Sequence, residues 1–319
     1  MAIRSFRPED AAALAALSRS CARGETDFVL NPLWESERDL FAEFERHGVE
    51  PEEHLLVAEA GDGQIEGCAG FVRRPHATAA GLVCPIVARE ARGHGVGGEL
   101  LRAALRHGTE SLGVKLVSAA IGVRNRAGYS LLTALGFRPS RQHFLMRLDD
   151  KPLLGRPPVE GIALATAGPA DTDAILALYS LCGFEARTPG TMRDALSDRR
   201  HAHAVARLRG GGLERRPSRS EADSAEPNQG DQPGRVVAFT EIETHWPERP
   251  WVAYVGVAPE LRDRGVGSAL VAWALARCFE AGAQSALLLL SPGNRTAVRA
   301  YEKVGFRRHR VVDVLEKGL

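Results

Sequence analysis

The sequence predicts two α/β (α+β) domains in tandem, each with a mixed, mostly antiparallel sheet that has helices on both faces. The chain has 319 residues, a length that suits two domains. Short apolar runs typical of strands alternate with helical patterns along it. One strand–turn–helix–strand–helix pattern occurs twice, with the copies about 170 residues apart, which is the size of a whole domain.

The second copy of this pattern carries the clearer motifs. The apolar run Trp251 to Val257 predicts a buried strand, and the glycine-rich turn Arg262 to Ser268 follows it. Apolar residues then recur at helical spacing from Val266, so a helix is expected to begin at the turn. Beyond a second apolar run come four marked positions: Asn294, Tyr301, Gly305 and Phe306.

The junction of turn and helix is suited to holding an anion. The first N–H groups of a helix have no partner within the helix, and the helix dipole places partial positive charge there. Glycines allow the backbone to approach a phosphate closely. Arg262 and Arg264 are expected to add charge-assisted hydrogen bonds.

The first copy has a strand at Gly81 to Val87 and a turn at Arg92 to Gly98. Its spacing matches that of the second copy, since Arg262 follows Arg92 by 170 residues. Asn125 precedes Asn294 by 169 residues in the same way. The repetition therefore covers nearly the whole chain.

Both copies resemble the GCN5-related N-acetyltransferase (GNAT) family in these motifs, the Arg-x-x-Gly-x-Gly turn and the Asn–helix–Gly-Phe segment. The resemblance implies acetyl-CoA as acetyl donor, a primary amine as acceptor, and a sheet that splays where the cofactor enters. The layout is similar to that of tandem members, including enzymes that acetylate the amine of a small thiol-bearing sugar. We do not transfer that acceptor, because the acceptor cleft is built from loops without a motif.

The resemblance assigns acetyl-CoA contacts in both copies. In the second, the turn would hold the pyrophosphate, the strand end would hydrogen-bond the pantetheine arm, and the asparagine would support that arm. The residues implied there are Val255, Gly256, Val257, Arg262, Asp263, Arg264, Gly265, Val266, Gly267, Ser268 and Asn294. In the first copy they are Ile86, Val87, Arg92, Gly93, Gly95, Val96, Gly97, Gly98 and Asn125.

Tyr301 stands at the position of the family's general acid. A phenol with an ordinary pKa of about 10 is a suitable proton donor to a thiolate leaving group. The first copy has Leu132 at this position and Tyr129 three residues earlier, which is a possible substitute. We therefore expect the second domain to be the catalytic one, while the first binds acetyl-CoA with poor turnover or is structural.

The sequence indicates the general base less clearly than the general acid. Glu241 and Glu243 fall on one face of the expected strand Val236 to Thr244, and His245 is close by. We select Glu241, which lies within the strand rather than at its end. The alternative is that both are solvated carboxylates on a strand.

Domain boundaries follow from composition. Residues 1–150 form the first domain, the proline-rich segment 151–158 a linker, and residues 159–319 the second domain. The segment 209–234 is rich in Gly, Pro, Ser and charge, which predicts a disordered insertion, either a solvated loop or a partner site.

Composition limits the function classes. A net charge of +1 argues against nucleic acid as the main partner, and no apolar run is long enough for a membrane span. Five cysteines without paired spacing indicate reduced thiols, so we expect a cytoplasmic protein. We expect it to be a monomer or a homodimer.

Three weaker interpretations remain. Gly93-x-Gly95-x-x-Gly98 matches a dinucleotide fingerprint, but an antiparallel meander precedes it. His201 and His203 would share one side of a strand, without a third ligand for a metal. A CoA-binding or partner-binding protein without turnover is the alternative to an enzyme.

Overall fold

The computed structural model describes residues 1–22, 24, 26–153, 160–184, 187–208 and 234–319. The chain divides into two compact units, Met1–Leu145 together with Arg308–Leu319, and Met146–Arg307. The sequence analysis assigns everything from 159 to 319 to the second domain, so the last residues group differently from that assignment. The reason is that the last strand of the chain pairs with a strand of the first unit.

The first unit begins with a strand and a pair of helices and continues as an antiparallel meander. Its strands are β1 (Ala2–Ser5), β2 (Leu55–Glu59), β3 (Ile65–Val72), β4 (Ala79–Val87), β5 (Leu116–Gly122) and β6 (Arg138–Leu148), whose last residues pass into the second unit. Its helices are α1 (Ala11–Cys21), α2 (Glu37–His47), α3 (Pro51–His54), α4 (Val96–Glu110) and α5 (Arg126–Ala134).

The second unit repeats this order. Its strands are β7 (Ile162–Thr166), β8 (Ala204–Leu208), β9 (Arg235–Glu243), β10 (Trp251–Val257) and β11 (Ala286–Leu290). Its helices are α6 (Thr172–Cys182), α7 (Pro189–Ser197), α8 (Val266–Glu280) and α9 (Arg295–Val304). A last strand, β12 (Arg307–Gly318), follows α9.

Strand pairing confirms the predicted mixed, mostly antiparallel sheets. In the first unit, β1 to β4 pair antiparallel in order, and β4 and β5 are parallel. In the second unit, β7 to β10 pair antiparallel and β10 and β11 are parallel. From Val312 onward β12 pairs antiparallel with β5, so the end of the chain completes the sheet of the first unit.

Both parallel pairs separate early, as the family resemblance implied. The β4–β5 register ends at Gly81 opposite Ser118. The β10–β11 register consists of Trp251 opposite Leu287. β4 and β10 therefore continue to their glycine turns without a parallel partner. A gap opens between β4 and β5 in the first unit, and between β10 and β11 in the second.

Local sequence rules explain the helix ends. Ser36 caps α2 by accepting a hydrogen bond from the N–H of Asp39 at 3.2 Å, and Gly48 ends that helix with a φ of 68°. The α4 helix packs closely on β3, because a Cβ at Gly108 would lie 2.7 Å from the ring of Phe71. None of the described helices is both long and apolar enough to cross a membrane.

The predicted linker and insertion fall largely outside the described residues. Of the linker 151–158, residues 154–158 are not described, and of the insertion 209–234 only Gly234 is. Their predicted character therefore stays a prediction.

Candidate active site

The glycine turn of the second unit is built as an anion-binding helix start. Gly265 precedes α8 with a φ of 78°, and Asp263 also has a positive φ of 59°. The N–H of Ala269 donates to the carbonyl of Gly265 at 3.0 Å, so the N–H groups of residues 266–268 come before the hydrogen-bonded part of the helix. A side chain at Gly267 would press on β10, since its Cβ would lie 3.1 Å from Val257 Cγ2.

The two arginines of this turn have different environments. Arg262 donates from Nε to the carbonyl of Val257 at 3.1 Å and from Nη2 to the carbonyl of Leu181 at 3.2 Å. It therefore ties the turn to β10 and α6, a role that the sequence analysis did not assign to it. Both arginines are exposed, but the carbonyls of Val257 and Leu181 engage the Arg262 guanidinium, so Arg264 is better placed to meet an incoming anion.

The first unit reproduces this geometry. Gly95 precedes α4 with a φ of 88°, and Glu99 N–H donates to its carbonyl at 3.0 Å. Arg92 donates from Nε to the carbonyl of Val87 at 3.0 Å and pairs with Asp27 at 3.0 Å. A cleft of about 280 Å³ lies here. Its walls include the predicted residues Ile86, Val87, Arg92, Gly93, Gly95, Val96, Gly97, Gly98 and Asn125.

Asn294 and Asn125 are helix caps. The Oδ1 atom of Asn294 accepts from the N–H of Ala297 at 3.1 Å, and that of Asn125 accepts from Gly128 N–H at 2.9 Å. Each cap fixes the start of the helix that follows the parallel strand, α9 after β11 and α5 after β5. The sequence analysis assigned these residues to the cofactor and did not anticipate their capping role, although Asn is a preferred cap residue.

Tyr301 is half-buried on α9. Its ring packs edge-on against Phe306 with 5.7 Å between ring centroids. Burial raises the pKa of the phenol to about 12, so the hydroxyl carries its proton throughout the physiological range. The Tyr301 side chain is neither fully buried nor fully exposed, so a ligand could reach it.

The corresponding helix of the first unit offers no such group. Leu132 is buried in the core, with 2% of its surface exposed. The Tyr129 hydroxyl donates to Asp313 at 3.3 Å, and burial, then Asp313, raises the pKa of this phenol. Tyr129 is not among the residues that line the cleft, so its position gives no support to the idea that it substitutes for Tyr301.

Glu241 is buried in an ion pair, which contradicts the alternative of a solvated carboxylate. Arg187 donates to its Oε2 atom at 3.0 Å, and the Tyr179 hydroxyl donates to Oε1. Burial raises the pKa of Glu241, while Arg187 acts in the opposite direction. The carboxylate is therefore held in one orientation by two donors.

Aromatic rings surround this ion pair. Tyr179 stacks on Phe239 with centroids 4.9 Å apart and meets Tyr254 at 5.4 Å. The Arg187 guanidinium lies 5.2 Å from the ring centres of both tyrosines. Tyr254 pairs with Glu241 across β9 and β10, so the cluster lies directly beside the strand that borders the gap. No motif in the sequence marks Tyr179, Arg187 or Tyr254.

Three histidines lie where β8 begins and β9 ends. The ring centroids of His201 and His203 are 4.8 Å apart, and those of His201 and His245 are 5.2 Å apart. Burial lowers the pKa of His203 to about 3, so its ring is neutral. Within the described residues, no group of three or more His, Cys, Asp or Glu side chains is arranged to hold a metal ion.

Comparisons with known proteins agree with this geometry. The sequence model of the Acetyltransferase (GNAT) family matches residues 21–137 and 193–306, once in each unit. Mycothiol acetyltransferase of Nocardia farcinica is 32% identical over 264 residues, which cover 79% of this chain and 78% of that protein. Mycothiol acetyltransferase of Mycolicibacterium paratuberculosis is 29% identical over 282 residues, 81% of this chain and 82% of that one.

Solved structures show the same fold. A GCN5-related N-acetyltransferase from Sphaerobacter thermophilus superposes with a TM-score of 0.76 at 20% identity, over 99% of this chain and 95% of that chain. A tandem GNAT protein from the clavulanic acid biosynthesis pathway superposes with a TM-score of 0.68 at 14% identity, over 99% and 98%. The paired glycine turns, the splayed sheets and the two matches of the family model identify the chain as a tandem acyltransferase enzyme of the GNAT family.

Proposed function

We propose that this enzyme transfers an acetyl group from acetyl-CoA to a primary amine of a small molecule or peptide, and that the second unit carries the catalysis. One observation carries the assignment to the second unit. Tyr301 presents a half-buried, protonated phenol on α9, whereas the first unit has the buried Leu132 at that position.

The residues of the second unit fit an acyl-CoA. The free N–H groups of residues 266–268 would hold the pyrophosphate, with Arg264 as the accompanying cation. The backbone of Val255 to Val257 would pair with the pantetheine arm, and the Nδ2 group of Asn294 would donate to it, since its Oδ1 atom is used by the helix cap. Gly267 lets the start of α8 lie close to β10, since a Cβ there would meet Val257 at 3.1 Å.

Two side chains would move protons during transfer. As the bond from carbonyl carbon to sulfur breaks and the bond to the amine nitrogen forms, Tyr301 would donate its phenolic proton to the leaving thiolate. Glu241 is the candidate base for the proton that the amine loses. Its raised pKa favours that role, because a base works best with a pKa near the operating pH.

The proposed acceptor is defined by its chemical class, a primary amine. The mycothiol acetyltransferases that resemble the chain over four fifths of its length support a narrower version, acetylation of a thiol-sugar amine of the mycothiol type. The cluster of Tyr179, Arg187, Glu241 and Tyr254 would form the floor of the acceptor side. A tandem CoA-binding protein without turnover is the alternative.

We also propose a cytoplasmic location. All five cysteines are free thiols, and four of them are buried, which suits a reducing compartment.

Acetyl-CoA binding by calorimetry, together with release of free thiol in the presence of amines, tests the proposal. We compare the intact protein with Gly97→Glu and Gly267→Glu, which place a carboxylate in the anion site of one unit each. Loss of turnover in Gly267→Glu alone supports catalysis by the second unit. Binding without turnover of any amine would favour the non-catalytic alternative, and absence of binding to the intact protein would refute acetyl-CoA as the donor.

A further inference from the structure

A short segment of the first unit lies in the gap between β4 and β5. The N–H of Leu30 donates to the carbonyl of Ala120 at 2.9 Å, and the N–H of Gly122 donates to the carbonyl of Phe28 at 3.0 Å. Between them, Val29 forms an antiparallel bridge with Ile121. Residues 28–31 therefore pair with the end of β5 as an additional strand would.

The same segment is also bonded to β4. The N–H of Cys84 donates to the carbonyl of Asn31 at 2.9 Å. The β4–β5 register ends at Gly81 and Ser118, so the segment enters where the two strands have separated. Phe28 and Val29 are 4% and 3% exposed, which means that the gap is filled by packed side chains as well as by backbone.

β4, which borders this gap, also lacks one backbone hydrogen-bond donor. Pro85 precedes Val255 by 170 residues, the repeat spacing of the turn that follows, and proline has no N–H. The N–H of its neighbour Cys84 is already used by Asn31. The first unit thus lacks, at Pro85, the backbone N–H that Val255 has at the same position of the second unit.

The second unit has a shorter connection at the corresponding place. The link between α6 and α7 is residues 183–188, whereas the link between α1 and α2 is residues 22–36 and contains the segment. Among the residues described in the second unit, none forms a backbone bridge to β10 and β11 that resembles the one made by residues 28–31.

We propose that residues 28–31 are a built-in plug that closes, in the first unit, the inner end of the path that the pantetheine arm takes in the second, beyond Pro85 to Val87, which line the open cleft. The path of the arm rests on the proposed function. The cleft of the first unit runs from its glycine turn to Val29, where the plug closes it. A CoA nucleotide held by this turn cannot place its thioester between the strands, so the first unit is not a second transfer centre.

Hydrogen exchange of the full-length protein tests the plug without relying on turnover. The amides of Leu30, Cys84 and Gly122 are expected to be protected, and their exchange rates are expected to change less than about twofold when acetyl-CoA is added to the Gly267→Glu variant, because their acceptors stay in place. Rapid exchange of these amides without ligand, or acceleration by about tenfold with acetyl-CoA, would show that the segment is absent from the gap or displaced by the arm.

Wild-type protein provides the matched comparison. Acetyl-CoA is expected to slow exchange at Val255 to Val257, because the arm would pair with that strand. If this slowing is missing while residues 28–31 stay protected, the proposed arm path fails and the plug stands as a structural feature only, which overturns its proposed role. Acetyl transfer by Gly267→Glu at a rate near that of wild type would also overturn it.

Discussion

Arg187 donates to Glu241 at 3.0 Å in a site where the two side chains are 18% and 6% exposed. The guanidinium also lies over the rings of Tyr179 and Tyr254. This ion pair joins the segment before α7 to the middle of β9. It is both a structural contact and part of the surface proposed to receive the acceptor.

Replacing Arg187 by Met leaves the Glu241 carboxylate buried without its cation. We expect a loss of about 3 kcal/mol of stability near neutral pH, seen as a fall of roughly 6–12 °C in the thermal midpoint of this unit. In a Glu241→Gln background the same replacement is expected to cost much less, since no charge is left unpaired. Equal losses in both backgrounds, measured by scanning calorimetry, would show that Arg187 acts by packing alone.

The pH dependence of this loss has a definite sign. Burial raises the pKa of Glu241 above its ordinary value of 4.5. A carboxyl with a raised folded pKa favours the fold while it is protonated, and that contribution is lost as the pH rises through the folded pKa. Removal of Arg187 raises the pKa further, so the cost of Arg187→Met is expected to shrink as the pH falls toward 4.5.

The fold and the glycine turns could be predicted from the sequence because they depend on local patterns that repeat. The positive φ of Gly265 and the helix start at Val266 are consequences of neighbouring residues. The Arg187–Glu241 contact spans 54 positions and the Tyr179–Glu241 contact 62. No local pattern in a single sequence indicates such partners.

The pairing of β12 and the plug escaped prediction for a related reason. Apolar residues can indicate that a segment such as β12 is a strand, but they do not show which strand edge it joins. Residues 28–31 lie in a link between helices and pair with β5 by backbone groups, which every sequence possesses. Their role is visible only once the gap between β4 and β5 is known.

The two arginines of the second glycine turn should give different phenotypes. Arg262 bonds two carbonyls, so Arg262→Ala is expected to raise KM for acetyl-CoA by loosening the turn, at about 0.5–1.5 kcal/mol per lost hydrogen bond. Arg264 is exposed, so Arg264→Ala is expected to weaken binding through charge and to reduce its dependence on salt. Titrations at several salt concentrations separate the two, and a reduced salt dependence for Arg262→Ala would place Arg262 on the phosphate.

Asn294 combines a capping and a binding role that two substitutions can separate. Asn294→Ala removes the acceptor for Ala297 N–H and is expected to cost about 0.5–2 kcal/mol of stability. Asn294→Asp keeps that acceptor but replaces the Nδ2 donor, so it should retain the thermal midpoint and raise KM for acetyl-CoA. Asn125→Asp, at the cap of α5, is the control and should leave KM unchanged. An unchanged KM for Asn294→Asp would limit Asn294 to capping.

Tyr301→Phe removes the phenolic proton and keeps the ring on Phe306. We expect kcat to fall by about 10²–10⁴ with little change in KM for acetyl-CoA, as for loss of a general acid. Tyr129→Phe is the matched control in the first unit, where the hydroxyl meets Asp313, and its kcat should equal that of wild type. Steady-state kinetics with a saturating amine measure both, and an unchanged kcat in Tyr301→Phe would remove this phenol from the mechanism.

The same tyrosine sets an expectation for the alkaline limb of the pH profile. Burial raises the Tyr301 pKa to about 12, and because only the protonated form donates, the active form persists as the pH rises. Wild-type kcat is therefore expected to stay level up to about pH 10, whereas a phenol of ordinary pKa would already be half ionised there. A decline centred near pH 10 that disappears in Tyr301→Phe would show that substrate binding opens this side chain to water, because only solvation of the phenolate could return its pKa to the ordinary value.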